Sequence, residues 1–127
     1  MKIEYGIVVI GETPYAEGLG DNGTLTLPQE DIDVFNKMRA QCEKLILVLL
    51  TGRPVLVTDL VAQADAVVAA WQPGTEAAGL ADLIFGDVPF SGTLSFSWPR
   101  SIEQVPLAAL KAHAEPPLFP LGHGLTT

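Results

Sequence analysis

Five polar residues crowd a glycine-punctuated stretch near the amino terminus: Glu12, Tyr15, Glu17, Asp21 and Asn22, with Gly18, Gly20 and Gly23 among them. Glycines let such a loop bend and let a ligand approach its backbone. Carboxylates there can act as general acids or bases, bind a metal, or stay as solvated surface charges, and the residues alone leave that choice open. No histidine stands nearby, which argues against a transition-metal site. The spacing does not fit a calcium-binding EF-hand loop either. We therefore expect no metal and no cofactor. Arg53, in Thr51-Gly52-Arg53-Pro54, can hydrogen-bond a substrate hydroxyl or carboxylate, or brace a loop through a local ion pair. Trp71 can stack on a ligand ring, although core packing is the better reading.

Other signatures are lacking. No GxGxxG follows the first apolar run, so a dinucleotide site is unsupported. Neither a phosphate-binding GxxxxGK[ST] nor a GxSxG nucleophile elbow is found. His113 and His123 lie in a proline-rich tail with no marked nucleophile and read as structural or exposed. Cys42 is the only cysteine, which rules out an intrachain disulfide, and it reads as a small buried residue.

Three apolar runs must position these side chains: Tyr5–Ile10, Leu45–Leu50 and Ala66–Trp71. They are rich in Val, Ile and Leu and do not alternate, the pattern of strands buried on both faces in a parallel sheet. Helical segments separate them. Pro28–Gln41 puts Ile32, Phe35 and Met38 on one stripe, with Val34 beside it. Its first turn has Pro28 and three carboxylates, Glu30, Asp31 and Asp33, suited to a helix amino terminus. Val55–Gln63 is a shorter candidate, and Glu76–Phe85 a third, with Thr75 as N-cap and Gly86 as stop.

The alternation of strand and helix predicts a parallel α/β sheet with right-handed crossovers. After Gly86, Thr93–Trp98 reads as a short edge strand, Leu107–His113 as a short helix, and Leu121–Thr127 as irregular tail. The fold class is α/β: a partial parallel α/β/α sandwich of about three strands. A three-stranded sheet with open edges is small, so this one is expected to recruit further strands from a preceding segment, a partner or a second copy. In parallel sheets, ligands bind at the carboxyl ends of the strands. Here those ends lead into Gly11–Thr26, Thr51–Pro54 and Gln72–Thr75. The first is long for such a connection, a common mark of function.

Composition narrows the partners. The 127 residues are 48% hydrophobic and 17% charged, with a mean hydropathy of +0.32, enough apolar material for one domain with a core. The net charge is −8 and the seven basic residues are scattered, which disfavours nucleic acid and anionic membrane surfaces. No apolar run approaches the roughly 20 residues that span a bilayer, and no signal-peptide pattern is visible.

Several stretches together resemble glycoside hydrolase family 3. Ala64-Asp65-Ala66-Val67-Val68-Ala69-Ala70-Trp71-Gln72-Pro73-Gly74-Thr75-Glu76 looks like the family's ADAVVAAWxPGxE. Ala81–Asp87 and Ser91–Ser101 resemble its ADxLFGDxxPSGKLPxTWPRS, Thr51–Pro54 its SGRP, and Leu118–Leu125 its LFPFGYGL. Phe90 and Ser95 stand where prolines are usual, and His123 where tyrosine is common. Pro14-Tyr15-Ala16-Glu17-Gly18-Leu19-Gly20-Asp21 resembles the PYxExxGD loop of the two-domain β-glucan exohydrolase branch.

The resemblance implies the second half of the family's C-terminal α/β domain across residues 1–127, with the barrel domain and the start of the α/β domain outside this sequence. It implies a retaining β-glucosidase or β-glucan exohydrolase, in which two carboxyl groups stand roughly 5–5.5 Å apart. Glu17 maps onto the general acid/base, with Glu12 as the nearby competitor; the aspartate nucleophile belongs to the barrel. Glu12, Tyr15, Asp21 and Arg53 are the expected substrate-binding residues around it. Partners would be β-linked glucosides or glucans and the barrel half. Without a nucleophile these residues alone are expected to be inactive. Enzymes of this family are often secreted or periplasmic, and the sequence leaves the compartment open. The rival readings are a stand-alone sugar-binding or assembly module, which would use the open sheet edge, and a remnant without function.

Overall fold

The computed structural model describes residues 1–106 and 114–125. The chain divides into two compact units, residues 1–72 and 73–127.

The first unit is a three-stranded parallel sheet in the order β1-β2-β3, formed by β1 (Ile3–Gly11), β2 (Cys42–Leu50) and β3 (Ala66–Ala69). The register runs from Ile3 opposite Cys42 to Gly11 opposite Leu50, and from Ile46 opposite Ala66 to Leu49 opposite Ala69. Helix α1 (Gln29–Gln41) connects β1 to β2, and a single turn, α2 (Thr58–Val61), connects β2 to β3. These elements match the expected order, with α1 one residue shorter at its start and α2 reduced to its central turn. β3 stops at Ala69 because the chain turns away at Trp71, which has a φ of 57°.

The expectation that all three strands are buried on both faces holds only for the central one. In β2, Leu47, Val48 and Leu49 are all buried. Strand β1 alternates instead: Val8 and Ile10 face the core, while Ile3, Tyr5, Ile7 and Val9 are exposed. An edge strand lacks a neighbour on one side and here lacks cover on one face, so its continuous apolar run is not matched by continuous burial. Among the described residues no strand pairs with the outer edge of β1 or of β3.

Phe35 is the anchor of α1. It is fully buried, between half-buried Ile32 and Met38, while Val34 faces outward and is 47% exposed. Cys42 caps the carboxyl end of this helix and is also the first residue of β2, and it is buried, as its residue type suggested.

The amino ends of the strands are tied by charge. Asp65 accepts hydrogen bonds from Arg39 Nη1 at 2.7 Å, Leu45 N at 2.9 Å and Lys44 Nζ at 3.0 Å. The Arg39 guanidinium, then the Leu45 amide and the Lys44 ammonium, hold the Asp65 carboxyl well below the usual carboxylate range. Arg39 also donates to the carbonyls of Cys42, Glu43 and Gln63. One guanidinium thus joins the end of α1, the start of β2 and the approach to β3.

Among its described residues the second unit has one α-helix, α3 (Ala78–Phe85), and a short 3-10 turn at Ile102–Gln104. Its N-cap is Ala77 rather than the expected Thr75, and no side chain caps it. Gly86 does end it, with a φ of 84°. The Gly86 amide donates to Leu83 O and the Asp87 amide to Asp82 O, the paired closure of a left-handed helix end.

The expected strand at Thr93–Trp98 is a single antiparallel bridge between Trp98 and Phe119. Trp98 is buried there, and its amide donates to Phe119 O at 2.8 Å. Leu94 bonds the same segment again, donating to His123 O at 2.9 Å and accepting from the Gly122 amide at 2.8 Å, and Pro99, which cannot donate to a ladder, ends the run. Gln104 is buried and fully engaged, accepting from the Arg100 amide and donating to Glu115 O and Pro116 O. The expected helix at 107–113, which includes His113, lies outside the described residues, as do the last two residues of the tail.

Candidate active site at the carboxyl ends of the strands

Strands β1 and β2 end side by side at Gly11 and Leu50, and the chemistry-bearing residues follow at once. The loop after β1 is fastened at its start. The Glu12 amide donates to Leu50 O at 3.0 Å, and the Gly11 amide to Asp31 Oδ2, on the first turn of α1, at 3.0 Å. It is fastened again at its far end. Asn22 Oδ1 accepts from the amides of Thr24 and Leu25, and the Leu56 amide donates to Leu25 O. A long loop held at both ends presents its middle in a defined place.

Three of the expected site residues meet in one cluster. Glu12 Oε1 accepts from Arg53 Nε at 2.9 Å and lies 2.8 Å from Arg53 Nη2. The Tyr15 hydroxyl donates to Glu12 Oε2 at 3.3 Å. The Arg53 guanidinium carbon lies 4.2 Å from the centroid of the Tyr15 ring, a cation–π stack. The Glu12 side chain is only 8% exposed and that of Arg53 24%. Of the two roles open to Arg53 in the sequence, the ion pair is the one formed.

Tyr15 reaches two glycines. A Cβ on Gly20 would collide with the Tyr15 ring, and one on Gly52 would stand 2.6 Å from the Tyr15 hydroxyl. Both positions need the absence of a side chain for Tyr15 to lie where it does. A Gly52 Cβ would also stand 3.0 Å from Gln72 Nε2, which brings Gln72, the residue after Trp71, to the same place. Gln72 carries no chemical signature in the sequence beyond lying at a strand's carboxyl end.

Glu17 stands apart from the cluster. It opens a four-residue 3-10 turn, Glu17–Gly20, in the left-handed region with a φ of 48°. A non-glycine residue there costs roughly 1–2 kcal/mol. It is exposed, and its carboxylate makes no hydrogen bond or ion pair among the described residues. Asp21 follows the turn, also exposed, with its amide bonded to Gly18 O. The two loop glutamates therefore differ in kind. Both oxygens of Glu12 are committed inward, whereas Glu17 is displayed outward by a strained backbone.

The second unit carries the tail residue where histidine replaces the tyrosine of the resembled motif. His123 stacks on Phe119, with ring centroids 4.6 Å apart and planes 20° apart. The replacement keeps an aromatic ring at this place, which agrees with a structural role. Among the described residues no three His, Cys, Asp or Glu side chains converge in a way that could hold a metal ion. No helix among them is long and apolar enough to cross a membrane.

Comparison with known proteins bears on the whole chain. It is 32% identical over 142 aligned residues to the periplasmic beta-glucosidase of Salmonella typhimurium, covering 94% of this chain and 19% of that protein. The fold superposes on the beta-glucosidase of Listeria innocua in complex with gluconolactone, with a TM-score of 0.84, 26% identity, and coverage of 97% of this chain and 20% of that one. It likewise superposes on a mutant of the exo-1,3/1,4-beta-glucanase of a Pseudoalteromonas species, with a TM-score of 0.79, 37% identity, and coverage of 94% and 21%. The chain thus spans about a fifth of the length of these relatives. The three parallel strands, the loops at their carboxyl ends and the Trp98 segment all lie within residues 2–127, which match the glycosyl hydrolase family 3 C-terminal domain, and the chain belongs to that family.

Proposed function

We propose that this domain supplies the general acid/base, Glu17, of a retaining β-glucosidase or exo-β-glucanase. In this reading the aspartate nucleophile and most of the sugar pocket come from a barrel half that works with it. The observation that carries the reading is the contrast between the two glutamates of the loop. Glu12 has both carboxylate oxygens engaged by Arg53 and Tyr15 and is nearly buried. Reaching a leaving-group oxygen would require it to break the ion pair. Glu17 is exposed, has no such partner among the described residues, and sits on a left-handed residue of a turn beyond a strand's carboxyl end. Backbone held in a costly conformation is a recurrent mark of functional sites.

The chemistry follows from two carboxyl groups about 5–5.5 Å apart. Glu17 gives its proton to the glycosidic oxygen as the C–O bond breaks, while the nucleophile bonds to the sugar carbon. The Glu17 carboxylate then takes a proton from water, whose oxygen displaces the nucleophile. Asp21 is proposed to accept a hydrogen bond from a sugar hydroxyl nearby, and Tyr15 to offer its ring edge. Glu12 and Arg53 contribute from behind, through the cluster they form.

The test is the assay of aryl β-glucosides with the chain alone and with the barrel half added in trans. The expected result is no turnover alone, and turnover in the mixture that falls about 100-fold or more in Glu17→Gln, as general-acid catalysis is worth roughly 10²–10⁴-fold. Turnover by the chain alone that Glu17→Gln abolishes would overturn the need for a second half. Activity in the mixture indifferent to Glu17 would overturn its role.

The exposed apolar row on β1 favours a second reading, an assembly module. Isolated sheets of this size gain from added strands. A monomer in solution that binds neither glucose nor short β-glucans would remove it.

A further inference from the structure

We infer that Arg53 is a positioning residue for the acid/base loop, acting through Tyr15 rather than on the sugar; this rests on the reading of Glu17 as acid/base. Three facts bring it about. Arg53 enters from the segment after β2, outside the loop it would govern. It holds Glu12, before the turn, with two N–H groups, and stacks its guanidinium 4.2 Å from the Tyr15 ring centroid. The Tyr15 ring in turn packs on Gly20, the last residue of the Glu17–Gly20 turn, closely enough that no Cβ fits there.

The turn that bears Glu17 therefore has its final residue seated on a ring whose other contacts are Arg53, Glu12 and Gly52. Nothing within the turn itself fixes it as firmly: the Asp21 amide to Gly18 O, at 3.2 Å, is its internal closure. A general acid must meet the leaving oxygen at hydrogen-bond distance, and a displacement of about 1 Å can cost roughly 100-fold. The guanidinium is suited to this task because one planar group both forks onto a carboxylate and lies flat on a ring. A lysine ammonium keeps the charge and loses the fork and the stack.

The test has two arms, with Arg53→Lys and Arg53→Met compared with Glu17→Gln. In the first, hydrogen exchange is measured on the chain itself. The Asp21 amide is expected to exchange about 10-fold faster in Arg53→Met and less so in Arg53→Lys, beyond any change at that amide in Phe35→Ala, which destabilises the fold at least as much without touching the loop. Unchanged exchange at Asp21, or an acceleration there matched by Phe35→Ala, would overturn the proposal, the latter because it marks general loss of stability.

In the second arm, the chain with the barrel half is assayed on aryl β-glucosides with weakly and strongly activated leaving groups. In the first step, which kcat/KM reports, loss of a well-placed acid penalises only the former. Arg53→Lys is expected to lower kcat/KM about 10-fold on phenyl glucosides and less than about 3-fold on dinitrophenyl glucosides, in the same sense as Glu17→Gln. If Glu17→Gln shows no such selectivity, the acid/base reading fails and the exchange result decides the loop tie by itself. If Glu17→Gln shows it and neither Arg53 variant does, the positioning role fails alone.

Discussion

Replacing Arg53 by methionine and Glu12 by glutamine, singly and together, gives a direct measure of what holds the loop after β1. The pair is well buried on the carboxylate side, at 8% exposure, and part-buried on the guanidinium side, at 24%. Two nitrogen atoms lie within 2.9 Å of the same oxygen. At an effective dielectric of 20 such charges attract by about 4 kcal/mol, which desolvation partly offsets.

Arg53→Met leaves a nearly buried carboxylate with only the Tyr15 hydroxyl as a side-chain partner, so it falls short of the 3–5 kcal/mol typical of breaking a fully buried pair, at about 2–3 kcal/mol. Glu12→Gln keeps an acceptor for Tyr15 and leaves an arginine that water can reach, so it costs about 1–2 kcal/mol. The double variant has no orphaned charge and should cost about as much as Arg53→Met alone, leaving a coupling of about 1–2 kcal/mol. For a chain of this length, at about 4 °C per kcal/mol, Arg53→Met lowers Tm by about 8–12 °C. Urea unfolding of the four proteins supplies the cycle. Costs that add to within about 0.5 kcal/mol would mean that the two side chains do not interact, and that the loop is held by its backbone ties instead.

At the opposite end of the sheet, Asp65→Asn should destabilise the fold near neutral pH by loosening Arg39, Lys44 and the Leu45 amide together. Because the folded-state carboxyl is held below its unfolded value of about 3.9, its contribution is full above that value and lost as the pH falls below it. The urea midpoints of the two proteins should therefore draw together progressively on acidification below about pH 4, and a gap that stays as wide there as at neutral pH would count against the assigned cause. Phe35→Ala, which empties a fully buried site between α1 and the sheet, should cost about 3–5 kcal/mol by urea unfolding, and a loss under about 1 kcal/mol would show that α1 is not anchored there. Glu17→Gly should relieve the left-handed strain while widening the unfolded ensemble, for a net gain of up to about 1 kcal/mol in stability. A lower Tm in that variant would mean that Glu17 makes stabilising contacts after all.

Element types were legible because they rest on local rules. Val, Ile and Leu runs separated by helical spacing can hardly form anything but alternating strands and helices, and Gly86 could be named as a helix stop because only its neighbours matter. Where the structure differs from the sequence reading, the difference lies beyond what local residue types encode. Thr75 is an apt N-cap by type, yet α3 begins later, at Ala78. Thr93–Trp98 has strand composition, but it bonds the 118–123 segment only around Leu94 and Trp98, and Pro99 ends it, so one bridge forms. The run in β1 is as apolar as that in β2, and nothing within it tells an edge from a centre.

The candidate site divides in the same way. That Glu12, Tyr15, Glu17, Asp21 and Arg53 lie on the loops that follow β1 and β2 could be read from the sequence, since the order of elements fixes which loops stand at the carboxyl ends of the strands. Which glutamate is displayed and which is consumed did not follow from it. That depended on Arg53 crossing from the next loop to claim Glu12, and on two glycines, Gly20 and Gly52, leaving room for the Tyr15 ring. Spacing along the chain fixes which side chains share a neighbourhood. Only three-dimensional packing settles the competition among them for a limited number of partners.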